Sequence, residues 1–277
     1  MSSDNAINLY ALVKTGIVKS NAHFWREFSK EKIENFVNDL TFYKKELKEQ
    51  NINVVCVYDH IFPKLDLKMK NSERPFLFAY KGNIDLLHNT NNNISVIGVL
   101  TPNEEIKIRQ QKIVTALTKN NLTIVSGLAR GCDTIAHTSC LSSGGKTIAI
   151  LSTTFNNIYP KENTELVDQI IQNGGLVITE YINEPKNKFE RIERLIERDR
   201  LQAMLSKAVL LIASFRQGEG DSGSRHAMQK AKDYGKKRFV MFDPKTDSNQ
   251  KIFGLNQDMI DDDAKILTKK SIRELIN

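Results

Sequence analysis

The feature that most constrains this chain is a regular alternation that begins at Ile94. Short apolar runs at residues 95–99, 123–125, 147–151, 176–179, 209–213 and 239–242 have the length and composition of strands buried on both faces. Stretches of helical spacing at 104–119, 134–141, 162–172 and 224–234 alternate with most of them. Parallel strands need a crossover between them, and a helix is the usual one, so the pattern predicts an α/β fold: a doubly wound, mostly parallel sheet with helices on both faces. In such a sheet ligands sit outside the carboxyl ends of the strands, so the loops leaving those ends are where function is sought.

Upstream, residues 1–50 read as a small helical domain. Leu9, Leu12, Val13 and Ile17 fall near helical spacing, and Trp25, Phe28, Ile33, Phe36, Leu40 and Tyr43 continue an apolar face after a break at Ser20-Asn21. Residues 51–93 read as a connector packing on the main domain, with β-rich stretches at 52–58 and 76–80 punctuated by Pro63, Pro75 and Gly82-Asn83. The main domain is expected to span 94–277. A length of 277 residues suits one large core with a smaller partner.

No apolar run is long enough to cross a bilayer, and the N-terminus lacks a basic segment followed by an apolar one, so a cytoplasmic protein is expected. Cys56, Cys132 and Cys140 are too few and too irregularly spaced for a disulfide framework or a zinc site, so no metal and no cofactor are expected. The formal net charge of +7 permits an anionic partner.

Four segments carry candidate chemistry. Ser126-Gly127-Leu128-Ala129-Arg130-Gly131-Cys132-Asp133 joins a strand to a helix, with glycines for tight turns, Asp133 placed to cap, and Arg130 able to fork onto a phosphate. The alternative is a plain turn with a surface arginine. His137, one helical turn beyond Asp133, is placed to contact that carboxylate or a neighbouring loop. Lys161, in Tyr159-Pro160-Lys161-Glu162-Asn163, sits at a helix start where a cation is unfavourable unless it meets an anion or is well solvated. The segment from Arg191 to Leu201 balances arginine against glutamate in the manner of a solvated helix face. Ser222-Gly223-Ser224 offers hydroxyls and bare amides at another helix start.

Taken together, these segments resemble the DprA/Smf family. The 126–133 segment with Ala136-His137 is similar to the family's SGLARGIDxxAH, and Tyr159–Asn163 to its YPxEN. Thr179-Glu180-Tyr181 is similar to SEY, residues 198–206 to RNRIIAGLS, and Ser222-Gly223-Ser224 to SGS. The likeness extends upstream to Phe62-Pro63 and Tyr80–Asn83 and downstream through 256–267.

The resemblance implies a Rossmann-like domain without catalytic chemistry, homodimerisation, and single-stranded DNA binding in a basic pocket. It also implies protection of incoming DNA during natural transformation and loading of a RecA-type recombinase. It makes Gly98, Ser126, Gly127, Arg130, Gly131, Lys161, Arg198, Arg200, Ser222, Gly223 and Ser224 pocket candidates, with Asp133 and His137 in support. Against the solvated-face reading, it turns Arg198 and Arg200 toward the ligand. No C-terminal winged helix is expected.

The chain departs from the family pattern in ways that subtract positive charge or bulk the pocket. Leu100 stands where an arginine is usual, Asp199 where an asparagine is, and Met204 where a glycine is, while Glu219 and Asp221 flank the serine turn. Phe155, Tyr159 and Phe189 are aromatics available to stack on bases. Two other readings are a nucleotide-binding sensor of the same superfamily and a partner-binding protein that has lost its ligand. The turn at 218–225 lacks the PGG and downstream glutamate of phosphoribohydrolase relatives.

Overall fold

The apolar runs become strands because the sheet buries them on both faces. The computed structural model describes residues 2–36, 40–65 and 69–276. The parts of the expectations for 1–50, 51–93 and 94–277 that fall on Met1, 37–39, 66–68 and Asn277 lie outside the described residues. Among the described residues one nine-stranded sheet forms, from β1 (Asn53–Cys56), β2 (Leu77–Gly82), β3 (Asn93–Ile97), β4 (Thr123–Ser126), β5 (Thr147–Ile150), β6 (Leu176–Thr179), β7 (Ala208–Leu211), β8 (Lys237–Val240) and β9 (Lys265–Ile266), in the order β1-β2-β6-β5-β4-β3-β7-β8-β9. Every residue of β3 to β7 is buried. Each fully buried Val, Ile or Leu there contributes about 1.5–3 kcal/mol of transfer free energy.

The pairs from β6 through β9 are parallel, while β1–β2 and β2–β6 are antiparallel. Residues 51–93 therefore contribute two strands to the sheet itself. Nothing in the apolar pattern of β9 announces it, since it is only two residues long and half exposed.

The N-terminal unit consists of α1 (Asp4–Lys14), α2 (Asn21–Glu27), α3 (Lys30–Glu34) and α4 (Thr41–Glu49). Ser3, Ser20 and Ser29 cap the first three, each side chain accepting an amide of the first turn. The buried side of α1, with Phe24 and Ile33, packs on Val54, Cys56, Phe76, Leu77 and Ala79 of the β1–β2 region.

The crossover helices are α5 (Glu104–Lys119), α6 (Cys132–Ser142), α7 (Thr164–Gln172), α8 (Lys188–Met204) and α9 (Arg225–Asp233), followed by α10 (Gly254–Asp261) and α11 (Lys269–Ile276). Asn103 caps α5 through the Ile106 amide at 2.9 Å. Helices α5, α6 and α7 pack side by side, and α8 packs on α9. On the α8 side, Leu201, Met204 and Leu205 meet Val125, Ile148, Ile150 and Ile178.

From β3 the chain steps outward through β4, β5 and β6, then returns to place β7 on the other side of β3. The loops leaving β3 and β7 depart in opposite senses, which makes the β3–β7 boundary the topological switch point of the sheet.

Candidate nucleic-acid interface

The loops after β5, β4, β3 and β7 line the carboxyl edge of the parallel sheet, and side-chain and backbone contacts tie each to the next. Between β5 and β4, Asn163 lies buried and donates from its amide to Leu128 O at 2.8 Å and to Thr134 Oγ1 at 2.9 Å. Between β4 and β3, the Cys132 amide donates to Val99 O at 3.0 Å. Gly131 lies so close to Leu100 that a Cβ there would sit 2.3 Å from its carbonyl oxygen. Between β3 and β7, Val99 N donates to Ala213 O at 3.0 Å, and the Leu100 amide donates to Asp221 Oδ2 at 2.7 Å.

The β4 loop is held from within. Ser126 is buried, and its hydroxyl donates to Val96 O at 2.7 Å. Gly131, at φ +70°, begins α6 without a side-chain cap. Asp133 therefore does not cap the helix end as the spacing suggests. It stands in the first turn, and its carboxylate accepts from the Gly127 and Ala129 amides, each at 3.2 Å. The Thr134 amide is taken by Ala129 O. The amides of Gly127, Ala129, Cys132 and Thr134 at this helix start are thus already occupied by the protein.

Arg198 reaches this loop from α8. Its guanidinium lies against Gly127, where a Cβ would fall 1.4 Å from Nη1. It donates to Ile150 O at 3.2 Å and lies 3.9 Å from Asp133 and 3.3 Å from Asp199. Only 5% of the residue is exposed. Burial pushes the Asp133 carboxyl up, against the pull of Arg198. Burial first, then the neighbouring Asp133, push Asp199 up to about 7, again against Arg198. The charge that Asp199 adds is therefore turned inward, on the arginine, and away from the rim.

His137 is buried beneath the loop. Thr147 spends its one hydroxyl proton on Ile124 O at 2.8 Å, so the 2.7 Å contact from His137 Nδ1 to Thr147 Oγ1 requires the histidine to donate. Burial, with Arg198 nearby, lowers its pKa to about 3, so the ring is neutral. Its partner is a strand threonine. The sequence spacing pointed instead to the Asp133 carboxylate or a neighbouring loop.

Arg200 is turned away from these loops. Its guanidinium donates to both oxygens of Glu180 at 2.7 and 2.6 Å, to Glu73 O at 2.8 Å and to Glu197 O at 2.6 Å. It lines a cleft of about 650 Å³ between the N-terminal helices and α8. Arg194, Arg198 and Arg200 are all buried, so the solvated-face reading of α8 fails for them.

The cations that face solvent are on the loops. Arg130, with 63% of its side chain exposed, pairs with Glu162. Lys161 is exposed, and among the described residues its amine meets no partner. Tyr159 beside it is 51% exposed, and Phe189 at the start of α8 is 80% exposed. Phe155 is partly buried in the core and lies under the Lys81 amine. Across the rim, a Cβ on Gly98 would lie 2.6 Å from the Cys132 sulfur. Ser222 is buried, with its hydroxyl and carbonyl accepting from Arg225 at 3.0 and 2.9 Å, while Gly223 is exposed and Ser224 precedes α9 without a side-chain cap.

The structure thus gathers Gly127, Arg130, Gly131, Asp133, Lys161 and Arg198 around the ends of β4 and β5. Gly98 and Ser222–Ser224 gather at the switch point, and Arg200 stands apart. Sequence reasoning gave no role to Asn163 as the clamp between the first two loops or to Glu180 as the partner of Arg200. Both fall in the YPxEN-like and SEY-like segments, but their partners lie 35 and 20 positions away, and spacing does not reveal them.

An open, mostly parallel sheet with helices on both faces and its polar loops at one edge defines a Rossmann-like α/β protein. The family model of DNA recombination-mediator protein A matches residues 53–277, and the chain belongs to that family. It is 34% identical over 180 residues to Protein Smf of Synechocystis sp., covering 64% of this chain and 44% of that protein. It is 42% identical over 109 residues to DNA processing protein DprA of Streptococcus pneumoniae, covering 39% of this chain and 37% of that protein. These matches span less than half the length of the curated relatives. The crystal structure of the S. pneumoniae protein superposes with a TM-score of 0.68 at 26% identity, covering 97% of this chain and 91% of that one. DNA processing protein A from Helicobacter pylori, whose structure describes a single-stranded DNA binding mode, superposes with a TM-score of 0.64 at 27% identity, covering 81% of this chain and 94% of that one.

Proposed function

We propose that this chain binds single-stranded DNA along the carboxyl edge of its sheet and serves as a recombination mediator. In this reading it acts in the cytoplasm as a homodimer, protects incoming strands and loads a RecA-type recombinase, with no catalytic step of its own. The observation that carries the reading is that Arg130, in an exposed pair with Glu162, and Lys161, whose amine meets no partner among the described residues, stand on two loops that Asn163 clamps together. A clamped pair of cations meets a phosphodiester without first being ordered, and the exposed ring of Tyr159 beside them is placed to stack on an unpaired base. Arg198 serves the same surface indirectly, by holding the β4 loop in shape from below.

Binding of a short oligothymidylate, followed by fluorescence anisotropy over a salt series, tests this. Each of Arg130→Ala and Lys161→Ala is expected to weaken binding at low salt and to reduce the slope of log K against log[salt] by about 1. Calorimetry with mononucleotides separates the sensor alternative. Tight mononucleotide binding with no oligonucleotide signal would overturn the proposal.

A further inference from the structure

The switch-point crevice is where an open α/β sheet ordinarily receives its ligand, because the loops on its two sides diverge there and leave backbone amides uncovered. In this chain a carboxylate fills it. Asp221, on the loop after β7, reaches across to the loop after β3 and accepts the Leu100 amide at 2.7 Å through Oδ2, while Oδ1 accepts the Gly223 amide at 3.4 Å. Its own carbonyl accepts from Phe215 N at 3.2 Å and Ser214 Oγ at 3.1 Å, so its backbone is pinned at the end of β7. Leu100 in turn abuts Gly131, the neighbour of Arg130. The field of Asp221 also reaches the first residue of α6, where it adds to the burial that pushes the Cys132 thiol up. Of the arginines on the flanking segments, Arg225 donates to the Ser222 carbonyl and hydroxyl, and Arg216 pairs with Asp258.

We propose that Asp221 is an internal anion that closes the β3–β7 crevice, and that a phosphodiester of a bound strand competes with its carboxylate for the Leu100 amide. This rests on the DNA-binding reading above and concerns its regulation. While Asp221 is seated, the crevice is closed and carries a negative charge one loop away from Arg130, which lowers affinity for any polyanion along the rim. The device sets a threshold: a strand binds tightly only when its phosphates outcompete one carboxylate for a backbone donor.

Asp221→Asn keeps an oxygen acceptor for the Leu100 amide and removes the charge. Glu219→Gln removes a charge from the same loop that is exposed and accepts none of these amides. With anisotropy of a labelled oligothymidylate at low salt, Asp221→Asn is expected to tighten binding on the order of three- to tenfold, with the gain shrinking as salt rises, and Glu219→Gln to change it by less than about twofold. Titration of the unaltered protein, followed by amide NMR, is expected to shift the Leu100 and Gly223 resonances as the oligonucleotide binds, a readout that does not depend on any variant folding.

Binding by the unaltered protein with Asp221→Asn no tighter, or equal gains from both variants, or unmoved Leu100 and Gly223 amides, would overturn this inference and leave the DNA-binding reading standing. Binding by neither the unaltered protein nor Asp221→Asn would overturn both. Binding by Asp221→Asn alone would support the device in its strongest form.

Discussion

The arginines of α8 and the cations of the strand-end loops look interchangeable in sequence, yet the structure uses them for opposite purposes. Arg198 and Arg200 are each 5% exposed, and their guanidiniums face protein carbonyls and carboxylates. Arg130 and Lys161 stand in solvent. Burying a guanidinium is costly unless it is paired, and α8 brings partners with it in Asp199 and the Glu197 carbonyl, while α6 supplies Asp133 and β5 supplies Ile150 O. The comparison divides this chain's basic residues into buried struts and exposed cations that the proposed function makes contacts. On that proposal, removing a strut damages the fold and removing a contact damages binding alone.

The largest effect that would break this division is in Arg198. Arg198→Ala leaves Asp133 and Asp199 buried without their cation and empties the space against Gly127. A loss of about 3–5 kcal/mol of stability is expected, read by denaturant unfolding. A variant as stable as the parent would mean that Arg198 is not a strut.

A smaller, pH-dependent effect sharpens the picture. Asp199 titrates near 7 in the fold, above its range in an unfolded chain, so its neutral form favours folding. The stability this group contributes is fully present below about pH 4 and is lost as pH rises through 7. Asp199→Asn removes that loss. The variant is therefore expected to gain on the parent progressively across this window and to hold a constant lead above it, measured by melting over pH. A lead that shrinks as pH rises would contradict the buried ion cluster. His137 acts in the opposite direction: its pKa near 3 makes the fold lose stability as pH falls below the ordinary histidine range.

The smallest stability effect belongs to the contacts. Arg130→Ala and Lys161→Ala are expected to unfold within about 0.5 kcal/mol of the parent, because exposed pairs contribute little. Their consequence should show only in the salt dependence of DNA binding. A large loss of stability in either would erase the distinction between strut and contact.

Much of this was legible beforehand. The helix read over 104–119 is α5 to the residue, and the six apolar runs each became a strand. Periodicity reports burial, and burial on both faces is what a central parallel strand requires. The charge-balanced reading of α8 failed for a related reason: residue spacing shows which positions share a face but not which face meets the protein. Arg194, Arg198 and Arg200 are buried because α8 lies against the sheet at β5 and β7, beside α9 and along the N-terminal cleft.

The order of residue types along the chain therefore determined the alternating elements, the sheet and the loops that gather at its carboxyl edge, since apolar periodicity and glycine placement act locally. Only the tertiary structure decided which charges are free. Arg198 under Gly127, Asn163 between two loops and Asp221 on the Leu100 amide are contacts across 71, 35 and 121 positions or fewer of intervening chain. A charge buried on such a distant partner is closed to a ligand, whereas one in solvent, alone like Lys161 or in an exposed pair like Arg130 with Glu162, can exchange that partner for a phosphate.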